Sequence, residues 1–376
     1  MDKLDKYNPE SRAEQSRAEQ SRAEQSRAEQ SRAEQSRVEL ANCSFCKSVL
    51  MILVVMYHSM AFWLPGGWFN QRPVQESYAL GLIASWLNSF HIYTFFLISG
   101  YVFYSMKYEK LKYIRFTEFV STKAQRLLIP YSFVAIAWVI PIYCIFFRPS
   151  IGDLFEKFVL MESPSQLWFL IALFVIFVLF YPLSDFVNKH IIAGVCLMIF
   201  IYWIGLKASY FVPNVFQICS ACRYILFFYL GFILRKLGIS QLRRIPDTLF
   251  IMVDVGLFVL YTWINGMAGV YQAVALMTYF FLNVVGAVGA FVILERLAER
   301  IDIDSIIIRF FKSHSMEIYL FHQQVIYLVL TVGNGKIDAY ILSAGCFVVS
   351  IMVSSIIAVG MNQFKLTKYL VSGKKK

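Results

Sequence analysis

The chain has 376 residues, of which 58% are hydrophobic and 16% charged, with a formal net charge of +11 at pH 7. A soluble globular domain averages roughly 45–50% apolar and about 25% charged residues, and here the apolar excess is gathered into blocks such as Leu167–Leu183. This composition excludes a soluble enzyme and makes the positive charge a matter of membrane topology, with no nucleic-acid partner implied.

Residues 1–44 read as a polar N-terminal tail facing the cytoplasm. Residues 11–35 are five copies of SRAEQ, followed by a decayed sixth, SRVEL. A period of five turns a helix by about 500°, so successive arginines step around it and no apolar face builds up. The segment is expected to be a solvated helix, supported by Glu–Arg pairs such as Glu14 with Arg17, or disordered. No cleavable signal peptide is expected, because the first apolar block follows this polar stretch.

Ten apolar segments follow, at 45–64, 80–106, 127–147, 166–187, 190–206, 216–235, 248–266, 270–294, 313–333 and 338–362. Runs near ~20 apolar residues match the thickness of a bilayer's hydrocarbon core. The expected fold is an all-α, polytopic membrane helix bundle of about ten transmembrane helices over 45–362, with a reaction cavity opening to both faces. A basic tail occupies 363–376. With the N-terminus inside, the inner connections at 107–126, 189, 235–244 and 296–312 and the tail hold twenty Lys and Arg residues. The outer connections hold five, Arg72, Arg148, Lys157, Lys207 and Lys336. That asymmetry places both termini in the cytoplasm.

Seven cysteines include two CxxC pairs, Cys43/Cys46 and Cys219/Cys222. On this topology the pairs lie at opposite faces, and four ligands cannot converge across ~30 Å of hydrocarbon, so no metal site is expected.

The first segment carries Lys47 and, eleven residues on, His58. On a helix that step is three turns plus about 20°, so both project from one face, ~16 Å apart along the axis. An ionisable group inside a membrane tends to face a bundle interior or a water-filled cavity. His58 is therefore a candidate for chemistry, against the plainer role of a neutral histidine bonded to another helix. Lys47 is either a ligand-binding cation or a membrane anchor.

This spacing, a basic residue, ten intervening residues and then His in the first span, resembles the signature of the membrane-bound type 3 acyltransferases. In the same order, Phe90–Phe103 (FHIYTFFLISGYVF) is similar to that family's second-span motif. Lys123–Tyr131 (KAQRLLIPY) is similar to its basic R-x-x-R loop, although Lys123 stands where Arg is commoner and cannot bind phosphate bidentately. Leu167–Phe174, Arg223–Leu234 and Ser315–Ile326 look like its later spans, and the resemblance covers about 40–362. It implies acyl transfer, usually of acetyl from acyl-CoA, to a hydroxyl of a surface polysaccharide or lipid-linked sugar, in a bacterial inner membrane. No permanently bound cofactor is implied, and acetyl-CoA enters as co-substrate. Lys47, Lys123 and Arg126 are then expected to hold the donor's phosphates through charge-assisted hydrogen bonds. The pantetheine arm would lie along the first helix and bring the thioester to His58. His58 would take the acceptor's proton, a contribution of ~10²–10⁴-fold in rate, or carry the acyl group itself.

Six further residues are candidates for lining the substrate site: His91, Ser99, Gly100, Arg223, Glu317 and His322. His91 lies near the level of His58 if the first two spans run antiparallel. Ser99 and Gly100 equally suit close helix packing. Arg223 can meet an anionic acceptor or anchor its span, and Asp254 is a further buried carboxylate with no evident partner. Glu317 and His322, five residues apart, do not share a helical face. Phosphate-loop, G-x-S-x-G and HExxH motifs are absent, which removes kinase, hydrolase and zincin readings. The rivals are a carbohydrate exporter or flippase, in which the buried histidines line a transport path, and a membrane sensor. Internal repeat symmetry, common in transporters, is not visible in the sequence.

Overall fold

The computed structural model describes residue 34 and residues 38–66, 69–267 and 271–373. The SRAEQ copies, Glu34 apart, and Lys374 to Lys376 lie outside the described residues, as does the expectation of a solvated or disordered repeat. Among the described residues the structure is helical, with no strand.

Helix α1 runs over Val38–Trp63 and tightens to a 3-10 turn at Ala61–Trp63. The segment expected as one span at 80–106 lies within one candidate span, Tyr78–Glu109, which is broken into α2 (Tyr78–Asn88) and α3 (His91–Tyr104). Between them Phe90 leaves helical geometry (φ −133°, ψ −36°), and the Ser89 hydroxyl donates back to the Trp86 carbonyl at 2.7 Å. The break sets His91 at the start of α3. Helix α4 (Phe116–Val134) passes through a wide π turn at Ala135–Val139 into α5 (Ile140–Phe147). The π turn lies just before Pro141, which has no N–H to donate back to it.

A short α6 (Ile151–Leu154) precedes α7 (Trp168–Lys189), α8 (Ile191–Ala208) and α9 (Ile218–Leu237). Then come α10 (Asp247–Gly266), α11 (Gln272–Arg300), α12 (Ile306–Gly333), α13 (Ala339–Gln363) and α14 (Lys365–Ser372). Nine helices among the described residues are long and apolar enough to cross a membrane.

Helix α12, the ninth expected span, is not among those nine, although its 28 residues reach ~42 Å. It carries Glu317, His322, Gln323 and Gln324, all at most 4% exposed. These side chains face protein, so the helix need not be apolar to sit in the bundle. Helix α14 lies in what the sequence presents as a free basic tail. It docks on α4, where a Cβ added at Gly373 would come within 2.0 Å of the Gln125 carbonyl oxygen.

The middle of the bundle is the crossing of α3 and α9. A Cβ at Gly100 would stand 1.7 Å from the Phe228 carbonyl oxygen, and one at Gly231 would stand 1.8 Å from that of Leu97. The two backbones touch because each helix offers a glycine to the other. Around this crossing pack the fully buried rings of Phe96, Phe103, Phe180, Phe227, Phe228 and Phe232.

Ion pairs gather the chain segments expected on the inner side at one end of the bundle. Arg235, at the end of α9, bonds Glu39 of α1, the Tyr101 hydroxyl at 3.0 Å and Glu109 after α3 at 2.7 Å. Arg243 meets Glu299 at 2.6 Å, and Arg296 pairs with Asp247.

Candidate functional site

In the half of the bundle away from these ion pairs lies a cavity of about 450 Å³. Its wall includes Val54, Tyr57 and His58 from α1, and Asn88 and His91 where α2 gives way to α3. Tyr143 and Phe147 come from α5, Lys157 from the connection after it, and Ser165, Gln166 and Trp168 from the start of α7. Tyr224 of α9 and Tyr319, Gln323 and Tyr327 of α12 complete it.

His58 and His322 meet at this wall, with His58 Nδ1 and His322 Nε2 3.0 Å apart. The hydrogen-bond partners decide where the protons sit. His322 Nδ1 lies 2.7 Å from the Tyr319 carbonyl oxygen, which can only accept, so Nδ1 bears the proton. A neutral His322 then presents its Nε2 lone pair to His58, whose Nδ1 must donate. The lone pair of neutral His58 is thereby placed on Nε2. This is the way a base is held in one tautomer by a third group behind it.

His91, 2% exposed, is fixed in the same manner, its Nδ1 donating to the Leu87 carbonyl at 2.5 Å. The Tyr57 ring stands between the imidazoles, 4.8 Å from that of His58 and 5.1 Å from that of His91. Below the histidines, Gln166 and Gln324 form a reciprocal amide pair (2.7 and 3.0 Å), and Gln166 also donates to the Leu320 carbonyl at 2.8 Å. Tyr319 donates to the Gln166 carbonyl. These bonds tie the start of α7 to α12 at the cavity wall. Gln323 donates to the Tyr327 hydroxyl at 2.5 Å, while its Oε1 is buried with no hydrogen-bond partner.

The remaining candidates are elsewhere. Gly100 sits in the α3–α9 crossing and Ser99 donates to the Phe95 carbonyl at 2.8 Å, neither in the cavity wall. Glu317 accepts from Asn362 at 3.2 Å, and its other oxygen is buried without a partner. Arg223 lies beside the wall residue Tyr224, its guanidinium 5.9 Å from that ring. Asp254 accepts from the Trp86 indole at 2.8 Å.

Lys47, Lys123 and Arg126 form a loose cationic group away from the cavity. Lys123 donates to the Tyr113 hydroxyl at 3.3 Å and lies 4.1 Å over the Phe177 ring. Lys47, Arg126 and Lys112 all act on it by like-charge repulsion. Among the described residues none of Lys47, Lys123 and Arg126 has a carboxylate within ion-pair distance. The cavity reaches Val54, one turn from His58 toward Lys47, and between Val54 and Lys47 the side chains of Leu50 and Met51 are buried. The Cys43 and Cys46 thiols face Glu295 at 3.8 and 4.0 Å, at the same end as Lys47.

Tyr57, Lys157, Gln166, Trp168, Tyr319, Gln323 and Tyr327 belong to the site without having been legible as candidates. One signal was available. His322, Gln323 and Gln324 are three consecutive polar residues inside an otherwise apolar run, and such a cluster marks a face turned away from lipid.

No curated protein and no solved structure matches the chain. The family described as an acyltransferase domain matches residues 43–360, from the second turn of α1 nearly to the end of α13. The chain therefore belongs to the type 3 acyltransferases, a family of membrane acyltransferases, and its histidine pair and cavity are set within the matched region.

Proposed function

We propose that this protein moves an acyl group, acetyl foremost, from acyl-CoA on the cytoplasmic side to a hydroxyl of a surface polysaccharide or lipid-linked sugar. The observation that carries the reading is the His58–His322 hydrogen bond at the wall of the cavity. A sugar is bound by flat aromatic rings and by amide and hydroxyl groups, and Trp168, Tyr143, Gln166, Gln323 and Asn88 supply both kinds. Gln323 Oε1, buried without a hydrogen-bond partner, is an acceptor suited to a sugar hydroxyl.

In the proposed step His58 Nε2 takes the proton of the acceptor hydroxyl as its oxygen attacks the thioester carbonyl. The carbon–sulfur bond breaks, an ester forms, and the proton passes from His58 to the departing thiolate. The imidazolium formed on the way donates from Nδ1 to His322, a bond that charge strengthens as the transition state is approached. At the other end, Lys47, Lys123 and Arg126 hold the donor's phosphates. The ~16 Å from Lys47 to His58 suits a pantetheine arm. Because Leu50 and Met51 fill the surface of α1 on that line, the arm enters by displacing side chains there.

The test uses the purified full chain in detergent, radiolabelled acetyl-CoA and bacterial surface polysaccharide. Label is expected on the glycan with the wild type and is lost with His58→Ala. His58→Gln can keep a structural hydrogen bond but cannot act as a base, so it should be equally inactive. Absence of label from every glycan tried ends the acyl-transfer reading, and an active His58→Gln ends the role given to His58.

A further inference from the structure

Arg223 is a cation beside the cavity to which the proposed step gives no role. It is partly buried on α9, and its Nε is enclosed with no hydrogen-bond partner. Among the described residues no carboxylate pairs with it. What surrounds it is a set of four tyrosines, Tyr93, Tyr202, Tyr224 and Tyr279. The rings of Tyr93 and Tyr224 stand 5.2 Å apart. Tyr93 and Tyr202 are each 2% exposed.

The other end of the same helix shows how this bundle treats an arginine that only holds it together. Arg235 has Glu39 and Glu109 on it, and its charge is balanced. Arg223 has dipoles alone. Tyrosine hydroxyls orient toward a charge but do not neutralise it, and a cation held without a counter-ion in a low-dielectric bundle is costly. The adjoining cavity repeats the imbalance, since its wall includes Lys157 and no carboxylate. Both observations give this half of the site a positive potential that a neutral sugar does not need.

We infer that Arg223 and its tyrosines bind an anionic oxyacid group, a carboxylate or a phosphate, carried by the acceptor beside the hydroxyl that is acylated. A guanidinium presents paired N–H donors that match either group, and the tyrosine hydroxyls donate to the oxygens left over. Arg223 is only partly buried while its Nε is enclosed without a partner. Tyr224 links the two places, since it lines the cavity and the Arg223 guanidinium lies 5.9 Å from its ring. The acceptor is therefore an acidic sugar or a glycosyl phosphate. This inference rests on the acyl-transfer reading above.

The test compares three acceptors that differ in one group: a glucose-terminated oligosaccharide, its glucuronate counterpart and its glucose 1-phosphate counterpart. Initial rates with acetyl-CoA are measured on the purified full chain in detergent, for the wild type, Arg223→Gln and Arg223→Lys. The wild type should show a KM at least about 10-fold lower for one anionic acceptor than for the neutral one, the worth of one charge-assisted hydrogen bond. The anionic arm that shows the preference identifies carboxylate or phosphate. In Arg223→Gln that ratio should collapse toward one, and Arg223→Lys should recover part of it. Equal KM values for all three acceptors in the wild type, or an unchanged ratio in Arg223→Gln, overturns the inference. Thermal stabilisation of the same proteins by glucuronate, inorganic phosphate and glucose gives a readout independent of turnover. If no acceptor is acylated, the transfer reading falls, and the anion site then stands or falls on whether glucuronate or phosphate, but not glucose, stabilises the wild type and loses that effect in Arg223→Gln.

Discussion

Replacing His322 by Ala separates a positioning partner from a base. In the resting site the Nδ1–H of His58 makes a neutral hydrogen bond to His322 at 3.0 Å, worth about 0.5–1.5 kcal/mol net. When His58 takes up a proton the same contact becomes charge-assisted, worth about 1.5–3 kcal/mol. Only the difference, on the order of 1–1.5 kcal/mol, lowers the barrier, so His322→Ala should reduce kcat about 5- to 13-fold. Removing the base itself, in His58→Ala, should cost ~10²–10⁴-fold. The assay is the initial rate of label transfer at saturating acetyl-CoA over a range of acceptor concentrations, on protein whose yield and monodispersity match the wild type. KM for the acceptor should hardly move, since His322 stands behind His58. The double variant should be no worse than His58→Ala, because the two residues act as one unit. A His322→Ala loss as large as that of His58→Ala would refute this order of roles.

Lys47→Met, or Lys123→Gln with Arg126→Gln, should weaken acetyl-CoA binding about 10- to 150-fold by the loss of charge-assisted contacts, whereas Lys189→Gln, an exposed charge on α7, should not. Calorimetry on the purified chain decides this, and unchanged affinity in Lys47→Met would make the lysine an anchor. Gly100→Ala should lower the thermal midpoint in detergent by forcing α3 and α9 apart, at a cost of about 1–3 kcal/mol, because its Cβ meets a carbonyl oxygen at 1.7 Å. A normal midpoint would mean the crossing is looser than this. A topology reporter joined after Lys376 should be active only if it works in the cytoplasm, as the twenty-to-five basic asymmetry requires; periplasmic activity there would mean an odd number of spans.

Much of the architecture was written in hydropathy. Apolar blocks near the length of a bilayer crossing named ten spans, of which nine are long, apolar helices among the described residues, because a chain in lipid has little choice but to satisfy its backbone internally as a helix. Local arithmetic also set Lys47 and His58 on one face, since 3.6 residues per turn holds within any single helix. That arithmetic stops at the end of the helix. His58 and His322 are 264 residues apart in sequence, and nothing periodic relates α1 to α12. The same limit hid the break between α2 and α3, where a single non-helical residue, Phe90, interrupts one span and brings His91 to the cavity. Gly100 shows the converse: a residue that reads equally well as substrate lining or packing is assigned by the Phe228 carbonyl across from it. Sequence determined which residues are too polar for lipid. Only the packing of helices against one another decided which of those polar groups meet, because hydrogen bonds form over about 3 Å and helix order in a bundle is set by side-chain fit between distant segments.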